Sequence, residues 1–199
     1  MITLIIIAIT TAVSLAALYV VPQIIEEGIL RPYYTIREHR WYQLITSGLL
    51  HASLGHLFVN MFTLYFFGLV MERTLGGPMY VFLYISALIV SGIPSLIKFK
   101  LDPDYATLGA SGAVESVLFA FILIYPLESL YIMFIPIPIP AFVFGFLYLA
   151  YSMYASKQEQ GKVNHEAHIA GAVYGLVFMA LAQPQMLSQL YGMSYFGGN

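Results

Sequence analysis

Cysteine is absent from the 199 residues. That excludes disulfides, thiolate metal sites and a thiol nucleophile, and leaves the redox compartment unread. Charge is scarce as well: only 9% of residues are Asp, Glu, Lys or Arg, against roughly a quarter in a soluble domain. A chain so poor in charge cannot cover its surface for water, so lipid is part of its solvent. A hydrophobic fraction of 60% and a mean hydropathy of +0.81 agree. The net charge of −2 leaves no electrostatic footprint for nucleic acid. Aspartate occurs only as Asp102 and Asp104, both in a polar loop, which rules out an intramembrane aspartyl pair. The H-E-x-x-H zinc helix is missing too, because His165-Glu166-Ala167-His168 is one residue short. A metal held by His51, His56, His165 and His168 is left as a minor alternative. There is no internal repeat and no low-complexity tract.

What is present is a series of apolar segments. A helix needs about 20 apolar residues to cross the hydrocarbon core, fewer if it starts below the surface. On that ruler six spans are expected, at about 2–21, 51–71, 79–97, 109–125, 140–155 and 167–183. The first has no basic region before it and reads as a transmembrane helix rather than a signal peptide. Together the spans predict an all-α, polytopic membrane protein, a single six-helix domain over residues 1–183 with a loosely ordered tail at 184–199. Between spans one and two, residues 22–50 are semi-polar and carry Tyr33, Tyr34, Trp41 and Tyr42, aromatics that favour the membrane interface. Residues 98–108 and 156–166 read as polar loops. In YIMFIPIPIP the alternating prolines forbid a regular helix, and Pro140 is expected to open span five.

The polar residues at or near span ends form a short list: His51, His56, Asn60, Glu72, Ser111, Glu115, Glu128, His165, Glu166 and His168. Ionisable groups inside a bilayer are rare and are functional hypotheses by default. In span four, Gly112, Ser116 and Ala120 recur every fourth residue, with Ser111 and Glu115 on the neighbouring stripe. In span six, His168, Gly171 and Gly175 share one face. Small residues at this spacing let membrane helices approach closely, and packing alone would account for the glycines, Gly109 included. A serine hydroxyl needs a base about 3 Å away to become a nucleophile, and glycine-lined helices can bring one there. This points to Ser111 as nucleophile and His168 as general base. Taken separately, the serine reads as a helix cap and the histidine as a satisfied core residue. His56 and Asn60, at i and i+4, share a face; their N–H groups suit an oxyanion, or a pair of interhelical hydrogen bonds.

With Ser111 in GASG, His168 in AHIAGAVYG, and HASLGHLFVN in span two, the chain resembles the rhomboid intramembrane serine proteases, in their minimal, six-helix prokaryotic form. The resemblance runs from QLITSGLLH through span six and takes in FGLVMERTLGG, YPLES and IPIPAF. It implies a cell-membrane, multi-pass endopeptidase that cleaves transmembrane segments of membrane proteins near helix-destabilised stretches, without cofactor or metal. By motif match, Ser111 is the nucleophile, His168 the base, His56 and Asn60 the oxyanion-stabilising positions, and His51, Glu72 and Arg73 structural. It also implies that span four starts in mid-bilayer under a water-filled cavity.

Three features depart from the family pattern. Where the family has Trp-Arg before the first-loop helix, this chain has Tyr42-Gln43. Where an aromatic packs on the histidine, four residues after the serine, it has Glu115. That carboxyl either orients His168 as a third triad member, or is a buried neutral group or one bonded to a neighbouring loop. Finally, Arg31, Arg37, Arg40, Lys98, Lys100, Lys157 and Lys162 lie on the side opposite Arg73. The positive-inside rule would then invert the family's orientation, in which both termini are cytoplasmic. A non-catalytic relative that binds membrane proteins, and a small transporter, are the competing readings; the transporter lacks its expected inverted repeat.

Overall fold

The computed structural model describes residues 1–132, 135–157, 164–190 and 192. Among the described residues, four helices are long and apolar enough to cross a membrane: Ile2–Tyr19, Leu54–Leu75, Gly77–Lys98 and His165–Ala182. Two more, Ser111–Ile124 and Ala141–Ser156, are apolar but shorter. In chain order these are α1 (Ile2–Tyr19), the short α2 (Gln23–Gly28), α3 (Pro32–Arg37) and α4 (Gln43–Thr46), then α5 (Leu54–Thr63) and α6 (Leu69–Leu75) joined by a π segment (Leu64–Gly68). They are followed by α7 (Gly77–Lys98), α8 (Ser111–Ile124), α9 (Ala141–Lys157), α10 (His165–Ala182) and α11 (Pro184–Leu190).

Lipid as solvent shows in the direction of the side chains. In α1 the buried residues are Thr3, Thr10, Ser14 and Ala17, while Leu4, Ile5, Ile9 and Leu15 are exposed. Small and polar groups face the protein because lipid gives apolar side chains no reason to hide. The helix is anchored at its start by Glu72 of α6. Its Oε1 accepts from Ile2 N (2.7 Å), and its Oε2 accepts from Thr3 N (2.9 Å) and Thr3 Oγ1 (2.7 Å). These are donors of a first helical turn, which has no partners of its own. Between α6 and α7 the chain turns at Gly76, whose φ of 75° suits glycine.

At the centre stands α8, with 11 of its 14 residues buried. Fourteen residues reach about 21 Å, against a hydrocarbon core of about 30 Å. Its partner is α10, and the two touch backbone to backbone. A Cβ built on Gly171 would overlap the backbone of Gly112, and one on Gly175 the backbone of Ser116. Ser116 Oγ also donates across to the Gly171 carbonyl at 2.7 Å.

Several expectations need correction. The second span begins at Leu54, because Ser53 caps it by accepting from His56 N at 3.2 Å; His51 therefore lies ahead of the helix. Likewise Asn164 Oδ1 accepts from Ala167 N (3.1 Å) and starts α10 at His165. The first-loop region is organised as α2, α3, α4 and a 3-10 turn (Ser47–Leu49). It is also well anchored despite Tyr42-Gln43. Gln43 is fully buried; its Nε2 donates to Glu27 O (3.1 Å) and its Oε1 accepts from Thr35 Oγ1 (2.8 Å). In the proline-rich segment the expectation holds: it is not helical but pairs as antiparallel strands, Ser129–Ile132 with Ile135–Pro140, in which Leu130 faces Ile139 and Tyr131 faces Pro138, and α9 opens directly after Pro140. Proline cannot donate to a ladder, so alternating prolines suit an edge strand. After span six, Pro184–Leu190 is helical rather than loose. Residues 158–163, with Lys162 and most of the polar 156–166 loop, and residues 193–199 of the tail lie outside the described residues.

Candidate active site

The first residue of α8 is Ser111, and the first turn of α10 carries His168. The close approach of these helices puts both side chains on one cavity of about 470 Å³. His56, Ser91, Ser95, Asn164 and the backbone at Gly109 and Gly112 line it too, and Leu30, Leu44 and Leu88 form an apolar wall. A serine at the opening residue of a helix lies beside N–H groups with no intrahelical partner and at the positive end of the helix dipole. An alkoxide or oxyanion would be stabilised there.

The loop before α8 is held from two sides. Leu30 and Thr107 exchange backbone hydrogen bonds, each of 3.0 Å, and Gly109 N donates to Ser47 O at 3.0 Å. His51 supplies the second hold. Ser14 Oγ donates to Leu49 O (2.8 Å), so its oxygen accepts from His51 Nδ1–H at 3.0 Å, and His51 Nε2 is left to accept from Ala110 N at 3.5 Å. The buried His51 therefore ties α1 to the residue before the serine. Gly109 was expected to serve helix packing, but it lies outside α8 with φ 126°, and a Cβ there would overlap the His56 imidazole. Its lack of a side chain makes room for His56.

The structure separates His56 from Asn60. His56 reaches the cavity, with its ring edge-on to His51 at 4.9 Å. Asn60 is buried outside the cavity lining, and its Nδ2 donates to the His56 carbonyl at 3.0 Å. A buried amide within a helix takes the nearest acceptor, the carbonyl one turn back, so the expected convergence on one point is not what the resting arrangement shows. Nor does a hydrogen bond join Ser111 to His168 among the described residues. His168 Nδ1 instead lies 2.9 Å from the Tyr148 hydroxyl, and Tyr148 donates to Glu115 Oε1 at 2.7 Å. Glu115 thus approaches His168 through a phenol from α9. Catalytic contacts in a substrate-free site are commonly long and tighten on binding.

The other polar candidates lie elsewhere. Glu166 pairs with Lys98 at 2.6 Å, Glu72 caps α1, and Glu128 opens the hairpin connection. His165 stacks edge-on with Tyr151 and His168. Among the described residues, no three His, Asp or Glu side chains converge to hold a metal.

Two residues that sequence reasoning passed over belong to the site. Asn164 Nδ2 donates to Ser95 Oγ (2.7 Å) and to the Tyr105 hydroxyl (3.2 Å), fastening α7, the 98–108 loop and α10 at the cavity rim. Burial raises the pKa of the Tyr105 phenol, so it stays protonated there. An asparagine just before an apolar helix is a cap signature and could have been read. Tyr148 sits in the aromatic run FGFLYLAYSMY, where nothing distinguishes it from its neighbours.

Comparison with known proteins follows the same residues. The Rhomboid domain family matches residues 38–185. The RHOMBOID-like protein 12, mitochondrial, of Arabidopsis thaliana is 30% identical over 156 residues, 71% of this chain and 46% of that protein. Rhomboid protein 1, mitochondrial, of Saccharomyces cerevisiae is 28% identical over 138 residues, 68% of this chain and 40% of its own. The Bacillus subtilis protein named "Putative rhomboid protease YdcA" is 36% identical over 74 residues, 37% of this chain and 36% of its own. The chain spans less than half the length of these relatives.

Proposed function

This chain belongs to the rhomboid family, and on that premise we propose that it is an intramembrane serine endopeptidase cleaving transmembrane segments of other membrane proteins. The observation that carries the reading is the placement of Ser111 and His168 on the wall of one cavity, by two helices whose glycines let their backbones touch. Ser111 Oγ attacks the scissile carbonyl while His168 Nε2 takes its proton, and the same proton then goes to the leaving amine. The oxyanion is met by the His56 imidazole and the free N–H groups at the start of α8, with Asn60 in support. His51 holds the loop that carries these N–H groups. Gly112, Gly171 and Gly175 set the spacing, and Gly109 admits His56.

The chain is a multi-pass protein of a lipid bilayer. The finer proposal is a single domain over 1–183 with six spans, α8 and α9 being the short ones, in the cell membrane. No cofactor takes part in the proposed step.

The test uses the full chain in detergent micelles with a fluorescence-quenched single-span peptide, and a fluorophosphonate that phosphonylates activated serines with loss of fluoride. Ser111→Ala should abolish both cleavage and labelling, and His168→Ala should lower both by about a thousandfold or more. A Ser111→Ala variant that still cleaves would reject the protease reading. A wild-type chain that neither cleaves nor labels would favour the alternative, a non-catalytic rhomboid-like protein that binds membrane proteins.

A further inference from the structure

Three side chains from three helices meet beside the cavity. Tyr148, in the middle of α9, lies between α8 and α10, with Oη 2.7 Å from Glu115 Oε1 and 2.9 Å from His168 Nδ1. Its ring is flanked by Phe119 at 5.9 Å and Phe144 at 6.1 Å, which limits its rotation. A phenol has one proton to give, and here it goes to the Glu115 carboxyl oxygen. The contact with His168 must then run the other way, from Nδ1–H to the phenol oxygen. An imidazole with its proton on Nδ1 carries its lone pair on Nε2, the atom a base offers to a serine.

We propose that Tyr148 is a positioning residue for the general base: backed by Glu115, it holds His168 in the Nδ1–H tautomer and orientation, the role a carboxylate fills directly in a Ser-His-acid triad. The proposal rests on the protease reading of Ser111 and His168. When Ser111 Oγ–H transfers its proton to Nε2, the ring becomes an imidazolium. Its Nδ1–H bond to the phenol then strengthens because the donor is charged. The proton on Nε2 later leaves with the amine of the product, so Tyr148 and Glu115 exchange none.

The alternative is that Tyr148 merely fastens α9 to the bundle. That role would affect stability and substrate binding, whereas positioning the base affects the chemical step. Cleavage of the quenched peptide by the full chain in micelles separates kcat from KM. Tyr148→Phe should lower kcat roughly ten- to hundredfold, from the loss of one charge-assisted hydrogen bond, with KM within about twofold. Glu115→Gln should lower kcat less, since a side-chain amide still accepts from the phenol, and should add nothing in the Tyr148→Phe background. A Tyr148→Phe kcat within about twofold of wild type overturns the proposal, as do multiplicative losses in the double variant. A direct reading needs no variant: ¹⁵N NMR of histidine-labelled wild-type chain should show His168 protonated on Nδ1 and bare on Nε2. The opposite tautomer overturns the relay. A wild-type chain that shows the expected tautomer but neither cleaves nor labels with fluorophosphonate sinks the protease reading and leaves the hydrogen-bond relay standing.

Discussion

Replacing Gly171 with alanine should separate the two halves of the site. A Cβ at that position would stand 2.8 Å from the Gly112 carbonyl carbon and 3.0 Å from its Cα, and nearer still to the carbonyl oxygen. Non-bonded carbons rest at about 3.5–4.0 Å, so the shortfall is roughly 0.5–1 Å. The obstruction is backbone on both helices, and no rotamer change relieves it. α10 must therefore draw back from α8 by about an ångström, and Ser116 Oγ loses its 2.7 Å bond to the Gly171 carbonyl. Ser111 adjoins Gly112, and His168 is one helical turn from Gly171, so the opening appears directly in the distance between hydroxyl and imidazole.

Overpacking of this kind destabilises by about 1–3 kcal/mol, while an ångström of misplacement costs roughly a hundredfold in rate. Thermal denaturation in micelles measures the first quantity and cleavage of the quenched peptide the second. Gly175→Ala is the matched control. Its Cβ would lie 2.8 Å from the Ser116 carbonyl carbon, a similar strain applied one turn deeper. The two variants should melt alike, yet Gly171→Ala should cleave several-fold more slowly. If Gly171→Ala cleaves within about threefold of wild type, the helix separation does not control the site and the reasoning is refuted.

Two further outcomes follow from the contacts described above. His56 reaches the cavity and Asn60 does not, so His56→Ala should lower kcat by about a hundredfold or more and Asn60→Ala by distinctly less; equal losses would put the Asn60 amide on the oxyanion after all. Glu72→Ala removes all three hydrogen bonds from the start of α1 and should cost about 1–3 kcal/mol in micelle denaturation, with kcat in the surviving folded protein unchanged; an unshifted melting curve would show that α1 needs no anchor.

Much of the fold could be read from the letters because lipid imposes a simple rule: apolar runs must be helical and about as long as the bilayer is thick. That rule located α1, α7, α8 and α10 to within a few residues. It says nothing of short helices that never cross, so α2, α3 and α4 were read only as an interfacial loop. Nor did it anticipate that Gln43 would be buried and bonded to Glu27 O and Thr35 Oγ1. Helix ends set by Ser53 and Asn164 shifted by two or three residues because a cap is a single side-chain contact rather than a pattern.

Sequence by itself determined that this is a membrane chain, that it belongs among the rhomboids, and that serine, histidine and small residues recur on the faces of spans four and six. The first and the last are properties of composition and of one-dimensional spacing, and the second is a likeness of whole motifs to known proteins; all of these survive in the letters. Tertiary structure alone decided which side chains meet. It set Gly112 against Gly171, gave Gly109 to the His56 ring, turned Asn60 back on its own helix, and inserted Tyr148 between Glu115 and His168. Contacts between helices depend on how each is rotated about its axis, and spacing along one chain carries no information about the rotation of its neighbour.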